Sequence, residues 1–243
     1  QDATISLQLV LVPCPNATGH EVEAARPWHQ FERIVPARRF WQLLIQPRRF
    51  GPWPRRGVVV FLGGDQFWTV LLSKRLGYRH ITYAEWVARW PQWNDRVAAM
   101  SETVRDQLPP VQRGRCRVVG DLMADLSSFA RGEEPLPEGD WVALLPGSKR
   151  AKLSVGMPFL LETADRLARL RPGCRFLLPV APTTSVHELV RYAGSSNPIA
   201  AQYSSAVAEV TEGCLVTSAG TRIALLQRHP AHGSLSQCSL ALT

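Results

Sequence analysis

The fold is decided by residues 141–152, which read WVALLPGSKRAK. The apolar run Val142–Leu145 ends abruptly at Pro146, and an amphipathic helical pattern follows the turn. This order of strand, glycine turn and helix is typical of an anion-binding turn at the carboxyl end of a parallel strand. Glycine lets the backbone approach a ligand, a hydroxyl can hydrogen-bond it, and a cation can neutralise phosphate. The pattern predicts an α/β sheet, and its candidate phosphate-binding residues are Gly147, Ser148, Lys149 and Arg150.

The spacing alone leaves a second interpretation open, an ordinary strand–helix turn with solvated cations. The turn is not a Walker loop, because the GxxxxGK[ST] spacing is absent. GxSxG and a GxGxxG after a strand are absent too. The six histidines are isolated except for His229 and His232, which a proline separates and no carboxylate accompanies. We therefore expect neither a metal ion nor a cofactor.

Length and composition indicate an α/β protein without a membrane span. The 243 residues are 45% hydrophobic, enough for one large core or two modest ones. No apolar run approaches the roughly 18 residues of a membrane span. The five cysteines are scattered without a CxxC pair, which is typical of a reduced, cytoplasmic protein.

The net charge of +8 is concentrated in residues 26–56, which contain eight arginines and a single acidic residue, Glu32. Aromatic residues alternate with these arginines, and Arg38–Gln46 has the pattern of a short amphipathic helix bounded by prolines. Such a helix suits an anionic membrane surface. A solvated edge whose aromatics belong to the core is the main alternative. A nucleic-acid surface is disfavoured, because no RNP-type, zinc-finger or KH-type motif accompanies the patch, and we expect no nucleic-acid partner. The candidate membrane-contacting residues are Arg38, Arg39, Trp41, Arg48 and Arg49.

A carboxylate follows the first clear strand. Gly57–Leu62 reads as a buried parallel strand and Gln66–Leu76 as a helix ended by Gly77. Asp65 stands between them, where an N-cap residue and a catalytic carboxylate are equally usual. The tryptophan-rich stretch 84–93 after the next strand can line a sugar or acyl site, or can simply pack in a core.

The alternation of strands and helices continues on both sides of a proline- and glycine-rich segment, residues 121–140. This alternation predicts two doubly wound, Rossmann-like domains that face a cleft. We place the first domain at residues 1–124 and the second at residues 125–243.

Four stretches occur in collinear order: FLGGD (61–65), YAEWVARW (83–90), VVGDLMADL (118–126) and LLPGSKRAK (144–152). As an ordered set they resemble the lipid-A-disaccharide synthase family of GT-B glycosyltransferases, and more closely a cyanobacterial and plastid branch of related proteins. The resemblance extends over nearly the whole chain.

The resemblance implies a metal-independent, inverting transfer of an acylated glucosamine from UDP to a second acylated glucosamine phosphate. The first domain would hold the glycolipid acceptor and contact the membrane through residues 26–56, and the second would hold the UDP-sugar. Asp65 would be the general base, and the 147–150 turn would bind the donor diphosphate. The residues implied on the acceptor side of the cleft are Tyr83, Trp86, Arg89, Asp121 and Asp125. The protein would be cytoplasmic and peripheral to the membrane.

The chain departs from the family pattern at Lys149, which replaces an arginine, at Lys152, which replaces an acid, and at Asp121, which replaces a histidine. By the same resemblance both ends look cut, so we expect an incomplete donor pocket, an exposed sheet edge and no activity in this polypeptide. A non-catalytic GT-B-like protein that binds anionic glycolipid or membrane is the alternative function. Another sugar-nucleotide enzyme of the same architecture, such as a UDP-sugar epimerase, is a third hypothesis.

Overall fold

A computed structural model describes residues 5–15, 17–124, 135–203, 206–229 and 231–243. The described chain divides into two compact units. Unit 1 contains the described residues up to 124 except Thr18–His20, which group with unit 2, and unit 2 contains those from 135 onward. The predicted boundary at residues 124 and 125 adjoins a segment outside the described residues, and it stays a prediction.

All strands of unit 1 that the structure describes pair in parallel, in a two-stranded sheet of order β1-β2 and a four-stranded sheet of order β3-β4-β5-β6. The strands are β1 (Leu7–Val10), β2 (Phe31–Val35), β3 (Val58–Phe61), β4 (Arg79–Ala84), β5 (Arg96–Ala99) and β6 (Cys116–Val118). The helices are α1 (Glu21–Ala25), α2 (Phe40–Ile45), α3 (Gln66–Leu76), α4 (Glu102–Asp106) and α5 (Pro110–Arg113).

Local sequence signals set the bounds of α3. The Asp65 carboxylate accepts a hydrogen bond of 3.0 Å from the Phe67 amide at the first turn. Gly77 ends the helix in the left-handed region at φ 68°, a conformation that glycine adopts without a steric penalty. The predicted helix Gln66–Leu76 is therefore confirmed at both ends. Ser101 caps α4 in the same way, since its hydroxyl oxygen accepts from the Val104 amide.

One face of the four-stranded sheet of unit 1 is packed more fully than the other among the described residues. One face contributes Ala84, Val97 and Ala99 to a core shared with Val104 of α4. The opposite face is open at β3, where Val58 and Val60 are each 50% exposed, although Tyr83 of β4 is buried on that same face. The prediction that residues 57–62 form a fully buried strand is therefore wrong: β3 is parallel but half-exposed.

Two strands of unit 1 were not predicted. β2 lies inside the arginine-rich segment, and β5 follows the tryptophan-rich stretch. Each of these strands contains an arginine, which interrupts the continuous apolar run that is typical of a buried parallel strand. The sequence therefore contains no strand signal at these positions. The predicted helix Arg38–Gln46 is shorter than expected, since 3-10 turns flank α2 on both sides.

Unit 2 contains one six-stranded sheet among its described residues, in the order β12-β7-β8-β11-β10-β9. The strands are β7 (Asp140–Leu144), β8 (Cys174–Pro179), β9 (Ala208–Thr211), β10 (Cys214–Thr217), β11 (Arg222–Leu226) and β12 (Leu240–Leu242). The helices are α6 (Arg150–Leu170), α7 (Val186–Ala193), α8 (Pro198–Tyr203) and α9 (His232–Leu235). β12, β7, β8 and β11 are parallel, whereas β10 and β9 run antiparallel, so the sheet is mixed rather than parallel throughout.

The long helix α6 contributes five buried residues to the core of unit 2 and contains a proline in its interior. Pro158 has no amide hydrogen, so the carbonyl oxygen of Ser154, four residues earlier, lacks its usual partner within the helix. The buried side chain of Asn197 replaces that partner, since its Nδ2 donates to the Ser154 oxygen at 2.9 Å. The same amide group donates to the Tyr192 carbonyl oxygen at 2.9 Å and accepts from the Ile199 amide at 3.1 Å. Asn197 therefore joins α6, α7 and α8.

We predict that Asn197→Ala destabilises the protein by about 3 kcal/mol, because three buried hydrogen bonds are lost at about 1 kcal/mol each. Pro158→Ala supplies the amide hydrogen that would pair with Ser154. In that background the cost of Asn197→Ala should fall by about 1 kcal/mol. Denaturant unfolding of the four proteins of this double-mutant cycle measures the coupling. Strictly additive effects would contradict the proposed role of Asn197 as a substitute partner for Ser154.

Candidate functional site

The first candidate site lies at the carboxyl edge of the four-stranded sheet of unit 1. Because β3, β4, β5 and β6 are parallel, the segments that follow them lie at the same edge. Asp65 follows β3, the loop 85–95 follows β4, and Asp121 comes shortly after β6. Ligands of open α/β sheets bind at this edge. The structure thus assembles the candidate residues of unit 1 along one edge, while Asp125 lies outside the described residues.

Asp65 is exposed at the first turn of α3. One carboxylate oxygen, Oδ1, accepts from the Phe67 amide, and Oδ2 has no partner among the residues that the structure describes. The capping interpretation of Asp65 is therefore confirmed. Capping does not exclude chemistry, because the second oxygen stays open to a ligand.

Gln66 is the residue of this edge that the sequence did not indicate. Its side chain is only 9% exposed. Nε2 donates to the Val87 carbonyl oxygen at 2.8 Å, and Oε1 accepts from the Arg89 amide at 2.6 Å. The loop that carries Trp86 and Arg89 is thereby fastened to the first turn of α3, beside Asp65. A glutamine at the start of a helix looks like an ordinary polar residue in a sequence, so no local pattern indicates this clamp.

Tyr83 is buried, with 6% of its surface exposed. Its hydroxyl donates to the Gly120 carbonyl oxygen at 3.3 Å and accepts from the Leu122 amide at 3.2 Å. Tyr83 thus holds the loop of Asp121, whose carboxylate accepts from the Met123 amide at 2.8 Å. These contacts favour a positioning role for Tyr83, whereas the side chain of Trp86 is 76% exposed and that of Arg89 is also exposed.

A buried polar cluster lies beneath the clamp. The Thr69 hydroxyl donates to the Gln66 carbonyl oxygen at 2.8 Å and lies 3.0 Å from Nε2 of His80. Burial is the main influence on the pKa of His80 and lowers it below the ordinary value near 6.5, so the imidazole is neutral at pH 7. The His80 amide donates to the Asp95 carboxylate at 2.8 Å, which fixes the far end of the loop 85–95.

An aromatic strip runs from α2 to this edge, through contacting rings whose centroids are 5.1–6.2 Å apart. Its members, in order, are Phe40, Trp41, Trp68, Phe67, Trp90 and Trp93. The ring of Trp41 is 53% exposed, and the arginines predicted to contact a membrane, Arg38, Arg39, Arg48 and Arg49, are exposed near it in the chain. The guanidinium of Arg75 donates to the Leu44 and Ile45 carbonyl oxygens at 2.6 and 3.0 Å, which holds α2 against α3.

The second candidate site is the turn between β7 and α6 in unit 2. Gly147 has φ 88°, which a residue with a side chain rarely adopts. Ser148 and Lys149 are exposed, and Lys149 occupies the N-cap position without a capping side-chain hydrogen bond. By contrast, Asp65, Ser101 and Ser185 cap α3, α4 and α7.

An uncapped helix start of this kind suits an anion, because the amide groups of Arg150 and Ala151 and the positive end of the helix dipole point out of the helix. The Lys152 amide already donates to the Lys149 carbonyl oxygen at 2.9 Å. Of the four predicted residues, Arg150 has an additional contact, since its Nε lies 3.5 Å from the Glu188 carboxylate. Lys149 has no such ion pair among the described residues.

Glycine is required at two places for this turn to lie against α6. A Cβ atom on Gly147 would lie 3.0 Å from Cβ of Lys152, and one on Gly156 would lie 2.9 Å from the Pro146 carbonyl oxygen. Gly156, the seventh residue of α6, therefore allows the helix to approach the turn closely. The sequence indicated Gly147 but not Gly156, whose contact forms across the turn.

Other features of the described residues bear on the range of possible functions. They contain no group of three or more histidine, cysteine, aspartate or glutamate side chains placed to hold a metal ion. None of the described helices is long and apolar enough to cross a membrane.

The comparison with known sequences gives partial matches. No protein-family model matches the chain. Lipid-A-disaccharide synthase of Pseudomonas fluorescens (strain Pf0-1) is 42% identical over 71 residues, which is 27% of this chain and 19% of that enzyme. The synthase of Myxococcus xanthus (strain DK1622) is 33% identical over 92 residues, 36% of this chain and 24% of that enzyme. The matches thus span about a fifth to a quarter of these relatives, and less of this chain than the four collinear stretches predicted.

Two solved structures share the fold. A Listeria monocytogenes structure, assigned as a UDP-N-acetylglucosamine 2-epimerase, has a TM-score of 0.51 at 10% identity and covers 98% of this chain and 74% of that one. The S. aureus MnaA–UDP co-structure has a TM-score of 0.56 at 12% identity and covers 97% and 73%. At these identities the likeness establishes the fold alone. The predicted fold class, α/β with parallel sheets of the GT-B kind, is confirmed, and the cyanobacterial and plastid branch stays a prediction.

We predict that Gln66→Ala destabilises the protein by about 2 kcal/mol, because two buried hydrogen bonds are lost and the backbone groups of Val87 and Arg89 lose their partner. Hydrogen exchange at the Arg89 amide should accelerate as well, since the loop is released from α3. Gln46→Ala, at an exposed glutamine, is the matched control and should stay within about 0.5 kcal/mol of the parent. Equal effects of the two substitutions would contradict the clamp.

Proposed function

We propose that this chain belongs to a UDP-sugar-dependent glycosyltransferase similar to lipid-A-disaccharide synthase, which transfers an acylated glucosamine to a glycolipid acceptor with inversion. The observation that carries the proposal is the uncapped start of α6 behind the Gly147 turn, with Ser148 and Lys149 beside it. The partial identity to lipid-A-disaccharide synthases and the fold shared with a UDP complex support it. The sugar, the acyl chains and the stereochemistry are part of the proposal.

In the proposed reaction the second unit binds the donor. The amides at the start of α6, with Ser148 and Lys149, hold the diphosphate of the UDP-sugar. When the bond from the anomeric carbon to the diphosphate breaks, negative charge develops on the departing UDP. Lys149 and the helix start stabilise that charge, which is the main contribution such groups make to catalysis. Arg150 contributes less, because Glu188 partly neutralises it.

The first unit binds the acceptor at the carboxyl edge of its sheet. Oδ2 of Asp65 takes the proton of the acceptor hydroxyl as that oxygen attacks the anomeric carbon. A single displacement of this kind inverts the configuration at that carbon. Trp86 and Arg89 contact the acceptor from the loop that Gln66 holds, and Tyr83 positions the loop of Asp121. That the two units face a cleft remains part of this proposal.

Peripheral contact of a cytoplasmic protein with an anionic membrane completes the proposal. Trp41 and Ile45 lie one helical turn apart in α2 and both are exposed. Arg38, Arg48 and Arg49 flank them. Exposed apolar residues among arginines suit the headgroup region of an anionic bilayer. The same surface is the observation that favours the second candidate function, a non-catalytic GT-B-like protein that binds anionic glycolipid.

We predict that Lys149→Ala weakens UDP binding by roughly 1.5–3 kcal/mol, the contribution of a charge-assisted hydrogen bond. Isothermal titration of the product of the complete gene with UDP measures the effect. Lys74→Ala, at an exposed lysine of α3, is the charge-matched control and should bind UDP as the parent does. Unchanged affinity in Lys149→Ala would remove Lys149 from the donor site, and no UDP binding by the parent would favour the non-catalytic function.

We predict that Asp65→Asn abolishes turnover and leaves UDP binding and stability unchanged. Asparagine is as good an N-cap as aspartate, so the substitution removes the base and keeps the cap of α3. The measurement is UDP release from UDP-acylglucosamine by the product of the complete gene, with an acylated glucosamine phosphate as acceptor. Turnover that survives the substitution would exclude Asp65 as the base.

A further inference from the structure

A second concentration of arginine lies at the opposite edge of the same sheet, where its strands begin. Arg79 is the first residue of β4, Arg96 is the first residue of β5, and Arg115 immediately precedes β6. These three side chains line a cavity of about 400 Å³, together with Val58, Ile81 and Asp95. Neither Asp65 nor the Gly147 turn borders this cavity.

The strand register places the three arginines on one face. Ile81 of β4 lies opposite Arg96 of β5, so Arg79, two residues before Ile81, points to the same side as Arg96. The Val97 amide donates to the Arg115 carbonyl oxygen at 3.0 Å, which sets Arg115 beside Arg96 on the neighbouring strand. Val58 lies opposite Arg79 on β3. This is the face of the sheet on which Val58 and Val60 are half-exposed.

The charge of this row is not neutralised within the described residues. None of the three guanidinium groups has an ion pair with a described carboxylate within 4.0 Å. The one acid at the cavity, Asp95, uses its Oδ2 to accept from the His80 amide, and Arg96 donates to the Asp95 backbone oxygen instead. Like charges on neighbouring strands repel one another. A bound anion would relieve that repulsion.

We propose that this cavity binds the phosphate group of a ligand, either a phosphate monoester or a diphosphate. Guanidinium groups suit this chemistry, because their planar donors match two phosphate oxygens at once. The cavity is larger than a phosphate ion, and Val58 and Ile81 at its wall provide apolar contact for the remainder of the ligand. The site is independent of the proposed transferase function, since it lies at the other edge of unit 1 and shares no residue with it.

Thermal unfolding with pyrophosphate and with phosphate tests the site, at an ionic strength held constant with sodium chloride. A ligand that binds the folded state raises the melting temperature in a saturable way. Arg96→Gln and Arg115→Gln should each weaken pyrophosphate affinity at least tenfold. Each should also raise the melting temperature in sodium chloride without phosphate or pyrophosphate, because a repulsive charge is removed. Arg96→Lys, which keeps the charge and loses the fork, should fall between Arg96→Gln and the parent.

Two controls separate this site from the others. Arg191→Gln removes an exposed arginine from α7 and should leave the pyrophosphate shift unchanged. Lys149→Ala disables the proposed donor turn and should leave most of the shift in place. The proposal is overturned if Lys149→Ala removes the shift while Arg96→Gln keeps it. It is equally overturned if chloride alone reproduces the shift.

A vesicle-binding experiment determines whether the phosphate belongs to a lipid headgroup or to a free ligand. Co-sedimentation with phosphatidic acid vesicles, compared with neutral phosphatidylcholine vesicles, reports a lipid headgroup. If Arg96→Gln abolishes vesicle binding and substitution of Arg48 and Arg49 does not, the ligand of the cavity is a lipid headgroup. If Arg96→Gln abolishes the pyrophosphate-induced rise in melting temperature but does not change vesicle binding, the ligand of the cavity is a free phosphorylated molecule. Either result supports the phosphate site, and the absence of both contradicts it.

Discussion

Hydrogen bonding between parallel strands is the constraint on which every candidate site in this chain depends. It forces the segments after β3, β4 and β6 to one edge of the unit 1 sheet and the segments before β4, β5 and β6 to the other. Asp65 and Asp121 are therefore at the same edge of the sheet, although more than 50 residues separate them in the sequence. In unit 2 the same constraint places the Gly147 turn beyond the end of β7, at the start of a helix that packs in the core.

Pairing of the strands does not by itself fix the loops between them, and hydrogen bonds from buried polar side chains hold these loops in place. Gln66 joins the loop after β4 to α3, Tyr83 joins β4 to the loop after β6, and Asn197 joins three helices of unit 2. Each of them satisfies at least two backbone groups, so each contributes to stability and geometry together. Other side chains hold the backbone in place, so the exposed candidate residues Asp65, Arg89 and Lys149 remain available to contact a ligand.

Three of the positively charged surfaces that the structure describes differ in composition. The patch around α2 combines arginine with exposed apolar side chains, the turn before α6 combines lysine with an open helix start, and the cavity at the beginning of the unit 1 strands combines three arginines with an apolar wall. These compositions suit a membrane surface, a diphosphate and a phosphate group in turn. Net charge by itself would not separate the three proposals.

Signals that act over three or four residues could be predicted from the sequence. Asp65 as the N-cap of α3 follows from a backbone amide that a nearby side chain satisfies, and Gly77 as its end follows from the left-handed conformation that glycine adopts without a steric penalty. Only the tertiary structure decided the Gln66 clamp, the aromatic strip from Phe40 to Trp93, the open face of β3 and the antiparallel β9–β10 pair. These depend on which distant segments meet, and burial of a face is a property of the packed sheet. A sequence specifies local hydrogen bonding directly, whereas contacts between remote strands and helices are fixed only when the whole core forms.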